Sequence, residues 1–209
     1  MINSNIIDGI IIDRTIIDEI IIKDIPEKKI ERFLKYKIIK ADEKTKSRIN
    51  TLKEKLMSLC KPLYTYNKYP IKKDEQGVKI TGTDVVLKGG SINKFLKDND
   101  EIFLTAVTLG FESERFITYT QKVSLSEGLL ADIIASAYID EACDVLESSL
   151  SQNYKIKGRF SCGFGDFSID VQPEILRVLN TQKEIGLYCN ENNIMLPRKS
   201  LTAVIGIEK

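Results

Sequence analysis

Along the first two dozen residues apolar pairs recur every five positions, with "IID" beginning at Ile6, Ile11 and Ile16 and "IIK" at Ile21. A period of five fits neither the 3.6 of a helix nor the 2 of a strand, and the β-branched content favours extended structure. Residues 1–25 are therefore expected to form a strand-prone N-terminal segment, and residues 26–209 one domain. "IPEKKIERFLKY" then places Pro26 at a helix start, with Ile30, Phe33 and Leu34 on one face. A second amphipathic helix follows in "DEKTKSRINTLKEKLMSLC", where Ile49, Leu52, Leu56 and Leu59 recur at helical spacing until Pro62 ends it.

From Leu63 to Leu87 the pattern changes to strand-like alternation, "LYTYNKY" and "VKITGTDVVL" flanking the charged turn "KKDEQG". "SINKFLKDND" reads as a short capped helix, and "EIFLTAVTLG" as a strand buried on both faces. A helix from about Phe111 carries Glu112, Glu114 and Arg115 on its wet side. The longest helix begins at Ser124, whose spacing to Glu127 is that of a capping box. Its stripe comprises Leu129, Leu130, Ile133, Ile134, Ala137, Tyr138 and Val145, and Ala131, Ala135, Ser136 and Ala137 are small enough to admit a neighbouring backbone. Asp140, Glu141 and Asp144 are expected to wet the exposed face of the same helix. After the loop "RFSCGFGDFSID", set between two segments that read as helical, come a short helix in "VQPEILRVL" and two strands, "IGLYC" and "SLTAVIGI". The order is irregular, without the alternation of a doubly wound fold, so the predicted class is α+β: a mixed sheet with antiparallel strands and several helices.

Composition narrows the chemistry. With 31 basic and 30 acidic residues the 209-residue chain has almost no net field, which argues against nucleic acid as a partner. No apolar run approaches the roughly 20 residues needed to cross a bilayer and no secretory leader is recognisable, so the expectation is a cytoplasmic protein without a membrane partner. Four dispersed cysteines without a C-x-x-C pair suggest neither a zinc site nor a disulfide framework. Histidine is absent, which removes the usual general base and the commonest metal ligand; no catalytic residue and no metal site are predicted.

The loop from Arg159 to Asp170 is the strongest candidate site. Gly163 and Gly165 permit positive φ and close approach to the main chain, Arg159 offers a fork for a carboxylate or phosphate, and Phe164 a flat apolar face. The competing reading is a tight connection with Phe164 and Phe167 packed in the core. Ser168 stands where a third glycine would complete G-x-G-x-x-G, and the loop is expected to follow a helix, so a dinucleotide fingerprint is excluded. Cys162 needs only to be small here, and Lys72, Lys73 and Lys88 read as solvated turn lysines.

The runs "RFSCGFGDFSIDVQPEILRVLN" and "IGLYCNENNIMLPRKSLTAVIGI", with "IFLTAVTLG" and "LLADIIASAYIDEACDVLE" before them, resemble the activation domain of cobalamin-dependent methionine synthase, in particular its free-standing form. The resemblance spans roughly Ile25 to Ile207, and the arginine-to-glycine-aromatic loop with "IMLPRKS" is its specific part. It implies S-adenosylmethionine binding at a pattern R-x-x-x-G-Y, here Arg159, Gly163 and Phe164, with Cys162 inside the loop. Arg159 would pair with the methionyl carboxylate, and Glu191 in "NEN" falls where the family places an acid. Cobalamin would sit only on the partner protein, a cobalamin-binding methyltransferase module; a flavodoxin-like electron donor is a further implied partner. The sequence departs from the pattern in Phe164, where the family has tyrosine, and in Ser136, where the full-length enzyme has an acid near the sulfonium. It also stops at Lys209, before the C-terminal segments that complete the ligand cleft in the large enzymes. Two functions stay open: an auxiliary subunit for S-adenosylmethionine-dependent reductive reactivation of cob(II)alamin, and a docking protein for the cobalamin module that binds no S-adenosylmethionine.

Overall fold

The computed structural model describes residues 3–7, 10–15, 21–37 and 42–209. The pentad member at Ile16 lies outside them, as do residues 38–41. Two strands of the isoleucine-rich segment, β1 (Asn3–Ile7) and β2 (Ile10–Thr15), pair as an antiparallel hairpin, and β2 continues onto β3 (Leu63–Asp74). This agrees with the extended preference of β-branched residues.

The remaining strands are β4 (Gly77–Ile80), β5 (Val86–Leu87), β6 (Glu101–Thr108), β7 (Ile156–Phe160), β8 (Tyr188–Cys189), β9 (Met195–Leu196) and β10 (Ser200–Ile207). The main sheet runs β1-β2-β3-β6-β10-β7, with β4 and β5 attached beyond the far half of β3, and every pairing is antiparallel. The helices are α1 (Glu27–Tyr36), α2 (Glu43–Leu59), α3 (Gly90–Phe95), α4 (Phe111–Val123), α5 (Leu125–Leu150), α6 (Gln172–Val178) and α7 (Thr181–Ile185). The α+β class with antiparallel strands is thus observed.

Alternation along β6 divides its side chains between two cores. Phe103 and Val107 join the layer of α1, α2, α4 and α5, while Ile102, Leu104 and Ala106 face α3, α6 and α7. Helices on both faces explain why "EIFLTAVT" is a nearly unbroken apolar run even though its neighbours are antiparallel. Both α2 and α5 start on side-chain caps, although the Glu127 carboxylate pairs with Arg48 and the Ser124 amide donates to Thr120 O, so the predicted capping box is only half formed. The Asp42 side chain accepts from Thr45 N at 2.8 Å, and Ser124 caps α5 by accepting from Glu127 N at 3.4 Å.

Five expectations change. The segment before the quoted loop is strand β7, not helix: α5 ends at Leu150, and a register shift against β10 leaves Ile156 and Arg159 on the α5 side of this edge strand and Lys157 and Phe160 on the α3 side. "VKITGTDVVL" splits into β4 and β5 around a turn, and β3 runs on to Asp74, so that turn is only Glu75 and Gln76. "IGLYC" contributes only Tyr188 and Cys189, because Ile185 belongs to α7 and packs into the second core. Within the stripe of α5, Leu129 is exposed and Val145 half-buried. Finally, Asp140 and Glu141 do not lie on a wet face, for both are drawn under α1 by cations described below.

Candidate functional site

Beyond Phe160 the chain turns through a loop stitched by its own backbone. Phe164 N donates to Ser161 O at 3.2 Å, Phe167 N to Phe164 O at 3.0 Å, and Gly163 N to Phe167 O at 2.7 Å. Gly163 has φ +89° and Gly165 φ +58°, and a Cβ on Gly165 would lie 2.4 Å from Ser91 Oγ, so glycine is required there on two counts. The Asp166 carboxylate accepts from Gly90 N at 2.6 Å and Ser91 N at 2.8 Å, capping α3 across the fold. The Ser91 and Gly90 amides pull its pKa down to about 2. Phe167 is buried, as the packing reading expects, whereas Phe164 is not. It stands edge-on to Phe160 at 5.9 Å, and Phe160 stacks on Phe95 at 5.0 Å.

The β8–β9 hairpin abuts this loop. Asn193 Nδ2 donates to Asp170 Oδ1 at 3.1 Å, and exposed Glu191 occupies the hairpin turn, which the Asn190 side chain closes by accepting from Asn192 N and Ile194 N. Cys162 is half-buried against the second core, and burial pushes its thiol up to about 11. Cys162, Gly163 and Phe164 therefore share one loop, with the hairpin of Glu191 tied beside it.

Arg159 does not join them. Strand alternation sends Phe160 to the α3 side and Arg159 to the opposite face, under α5. There Nη2 meets Asp140 Oδ1 at 2.6 Å, Nη1 meets Asp144 Oδ1 at 2.5 Å, and Nη1 also contacts Glu147. Lys29 of α1 reaches the same carboxylates, at 2.9 Å to Asp140 and 3.1 Å to Glu141, and touches Asp144; Arg32 adds a contact to Asp140 at 2.7 Å. Burial works against the Arg159 charge, but the hydrogen bonds to Glu147 and Asp144 outweigh it and hold its pKa above the usual value. For Asp140 burial raises the pKa, and Lys29, Arg159 and Arg32 together bring it below the ordinary carboxylate range. The cluster ties α1, α5 and β7 into one layer.

Ser136 is also engaged. Lys199 Nζ donates to Ser136 Oγ at 2.8 Å and pairs with Asp132 Oδ1 at 2.8 Å, while Ser136 donates to the Asp132 carbonyl at 2.9 Å. Lys199 is the residue that sequence reasoning missed. Its signal was present in "IMLPRKS", as a lysine just before a strand buried on both faces, but only the fold sets it opposite Ser136.

Chemically the loop offers an aromatic face and shaped backbone, and the α5 face a saturated network of charges. Among the described residues no group of three or more His, Cys, Asp or Glu is placed to hold a metal ion, and no helix is long and apolar enough to cross a membrane. No family model matches the chain, and no curated protein matches it. Its structure is similar to the solved MetH reactivation domain bound to AdoHcy, with a TM-score of 0.54 at 18% sequence identity, over 84% of this chain and 64% of that one. The chain spans about two-thirds of the length of that neighbour and shares its fold.

Proposed function

We propose that this chain serves as a reactivation-domain-like partner of a cobalamin-carrying methyltransferase module, and that the Gly163–Phe164 loop receives an S-adenosyl ligand during remethylation of cob(II)alamin. The observation that carries the reading is the built loop itself, exposing Phe164 on a fold shared with a domain solved with AdoHcy. In this reading the adenine lies against Phe164 and the loop backbone, with Glu191 of the adjoining hairpin within the same end of the molecule. Cobalamin stays on the partner.

The engaged guanidinium of Arg159 favours a second reading, docking to the cobalamin module without an S-adenosyl ligand. A ligand carboxylate would have to displace Asp140, Asp144 or Glu147 from Arg159, and each is held by charge at short range. Thermal melts separate the two. A ligand that binds only the folded chain stabilises it by about 2.7 kcal/mol at a hundredfold excess over Kd, so S-adenosylmethionine should raise the melting temperature. A melt unmoved at millimolar S-adenosylmethionine and S-adenosylhomocysteine, with association to the cobalamin module retained, selects docking alone. Failure to associate with the module in either redox state overturns both.

A further inference from the structure

The main sheet ends in two strands, β1 and β7, and its two edges are built differently. An edge strand exposes a row of backbone N–H and C=O groups that can pair with another chain, and proteins blunt such edges with inward-pointing charge or broken register. β7 is blunted in both ways. Lys157 turns inward to donate to Phe95 O at 2.9 Å, Arg159 turns under α5 to Asp140 at 2.6 Å, and the register against β10 shifts between Ile205 and Ile207. β1 has none of these devices. Its sequence, "NSNII", holds no charge, proline or glycine, and it pairs with β2 in unbroken register from Asn3↔Arg14 to Ile7↔Ile10.

The hairpin also lacks a third strand over most of its length. β2 joins β3 only through Arg14↔Asn67 and Thr15↔Tyr66, so the pairs from Ser4↔Asp13 to Ile7↔Ile10 have no β3 partner. A two-stranded hairpin by itself is marginal in water, and independent stability takes three or more strands. Among the described residues no strand lies on the far side of β1.

A second copy of the chain fits that place. It brings the same hairpin with the same need, so one two-fold contact serves both and yields the continuous order β2-β1-β1-β2. Full antiparallel overlap of two five-residue strands puts their centres together, with Asn5 on the axis facing Asn5 of the other copy, Ser4 facing Ile6 and Asn3 facing Ile7. No like charges meet at any of these positions. A lipid surface is the poorer cover, because Asp8 and Asp13 border the isoleucines and anionic headgroups repel them.

We infer that β1 is the contact surface for a second copy of this chain, paired antiparallel across a two-fold axis at Asn5, and that the isoleucine-rich hairpin serves to build it. Neither the glycine loop nor the reactivation reading enters this contact.

The test uses the full chain in sedimentation equilibrium. The parent should be a dimer. Asn5→Lys and Asn5→Glu each set like charges opposite one another, and each should weaken the dimer several-fold, whereas an equal mixture of the two should restore it, since opposite charges then meet on the axis. Damage to the hairpin alone would weaken each variant without that rescue. Gly158→Lys on the other edge, where a Cβ meets nothing within 4 Å, should dimerise as the parent does. A parent that is monomeric at every concentration overturns the inference, as does capture of that monomer on anionic vesicles. A dimer that neither Asn5 variant weakens, or one weakened by both and not rescued by mixing, overturns the pairing at Asn5. Open-ended assemblies overturn the two-fold axis.

Discussion

Arg159 Nη2 lies 2.6 Å from Asp140 Oδ1, and this contact joins the edge strand β7 to the middle of α5. Arg159→Ala would leave Asp140 and Glu147 half-buried with less countercharge, since Lys29 and Arg32 reach Asp140 but, among the described residues, Glu147 pairs only with Arg159. The expected cost is about 2–3 kcal/mol, below the full range for buried pairs because Asp144 is half exposed. Arg159→Lys keeps the charge and loses the fork, so it should recover part of the loss. Urea unfolding midpoints measure this. Equal stability of Arg159→Ala and the parent would mean that the cluster does not clamp the layer.

The α5 cluster also marks what the sequence could not convey. Helical periodicity locates α5 and its cap, because spacing and capping are local. It assigns Asp140, Glu141 and Asp144 to solvent, because nothing local announces that Lys29 and Arg32, more than a hundred residues earlier, will lie over them. The same limit applies to Arg159. Its place beside Gly163 in sequence suggests one site, whereas alternation in β7 turns its side chain to the other face of the sheet, a consequence of a five-residue strand overlooked behind a 26-residue helix. The glycine loop was legible because positive φ and close approach are demands on individual residues. Its capping of α3 through Asp166 was not, since that bond spans 76 residues.

Asp166 makes a pH-dependent contribution to α3. Its folded pKa, about 2, is depressed by the Ser91 and Gly90 amides from an ordinary value near 3.8. A depressed carboxylate contributes stability that is present above the unfolded pKa and is lost as pH falls through the folded one. Amide exchange at Gly90 and Ser91 should therefore accelerate, relative to intrinsic rates, as pH falls from about 4 to about 2. Asp166→Ala should show the fast exchange already at neutral pH. Protection unchanged in that variant would show that α3 does not depend on this cap.

Close approach of α4 and α5 depends on Gly128. A Cβ there would stand 2.1 Å from Gln121 Cγ and 2.6 Å from Gln121 Cα, and the second contact is with backbone, which cannot swing aside. In an isolated helix Gly→Ala gains about 1 kcal/mol, but overpacking of this kind costs about 1–3 kcal/mol. Gly128→Ala should consequently lower the stability, with the unfolding midpoint shifted down and the slope unchanged. A midpoint shifted up would show that the helices have room to separate.

Buried thiols set the alkaline limit of the fold. Burial pushes Cys60 and Cys162 up to about 11 and Cys143 up to about 12, against an ordinary value of 9.0, and raises the Tyr138 hydroxyl to about 12. Each group is held neutral in the folded chain. Raised folded pKa values contribute stability fully present below the unfolded pKa and lost as pH climbs through the folded one, so stability should decline between about pH 9 and 12. Native alkylation should follow the same order. At pH 8 the thiolate fraction of a group with pKa near 11 is about a hundredfold below that of an ordinary cysteine, and iodoacetamide should label Cys60, Cys143 and Cys162 correspondingly slowly until denaturant is added. Cys162 decides the matter for the loop, being the half-buried thiol beside Gly163. Rapid native labelling of Cys162 at pH 8 would mean that its surroundings are more polar than the packed loop allows; slow labelling fits a residue chosen for its size.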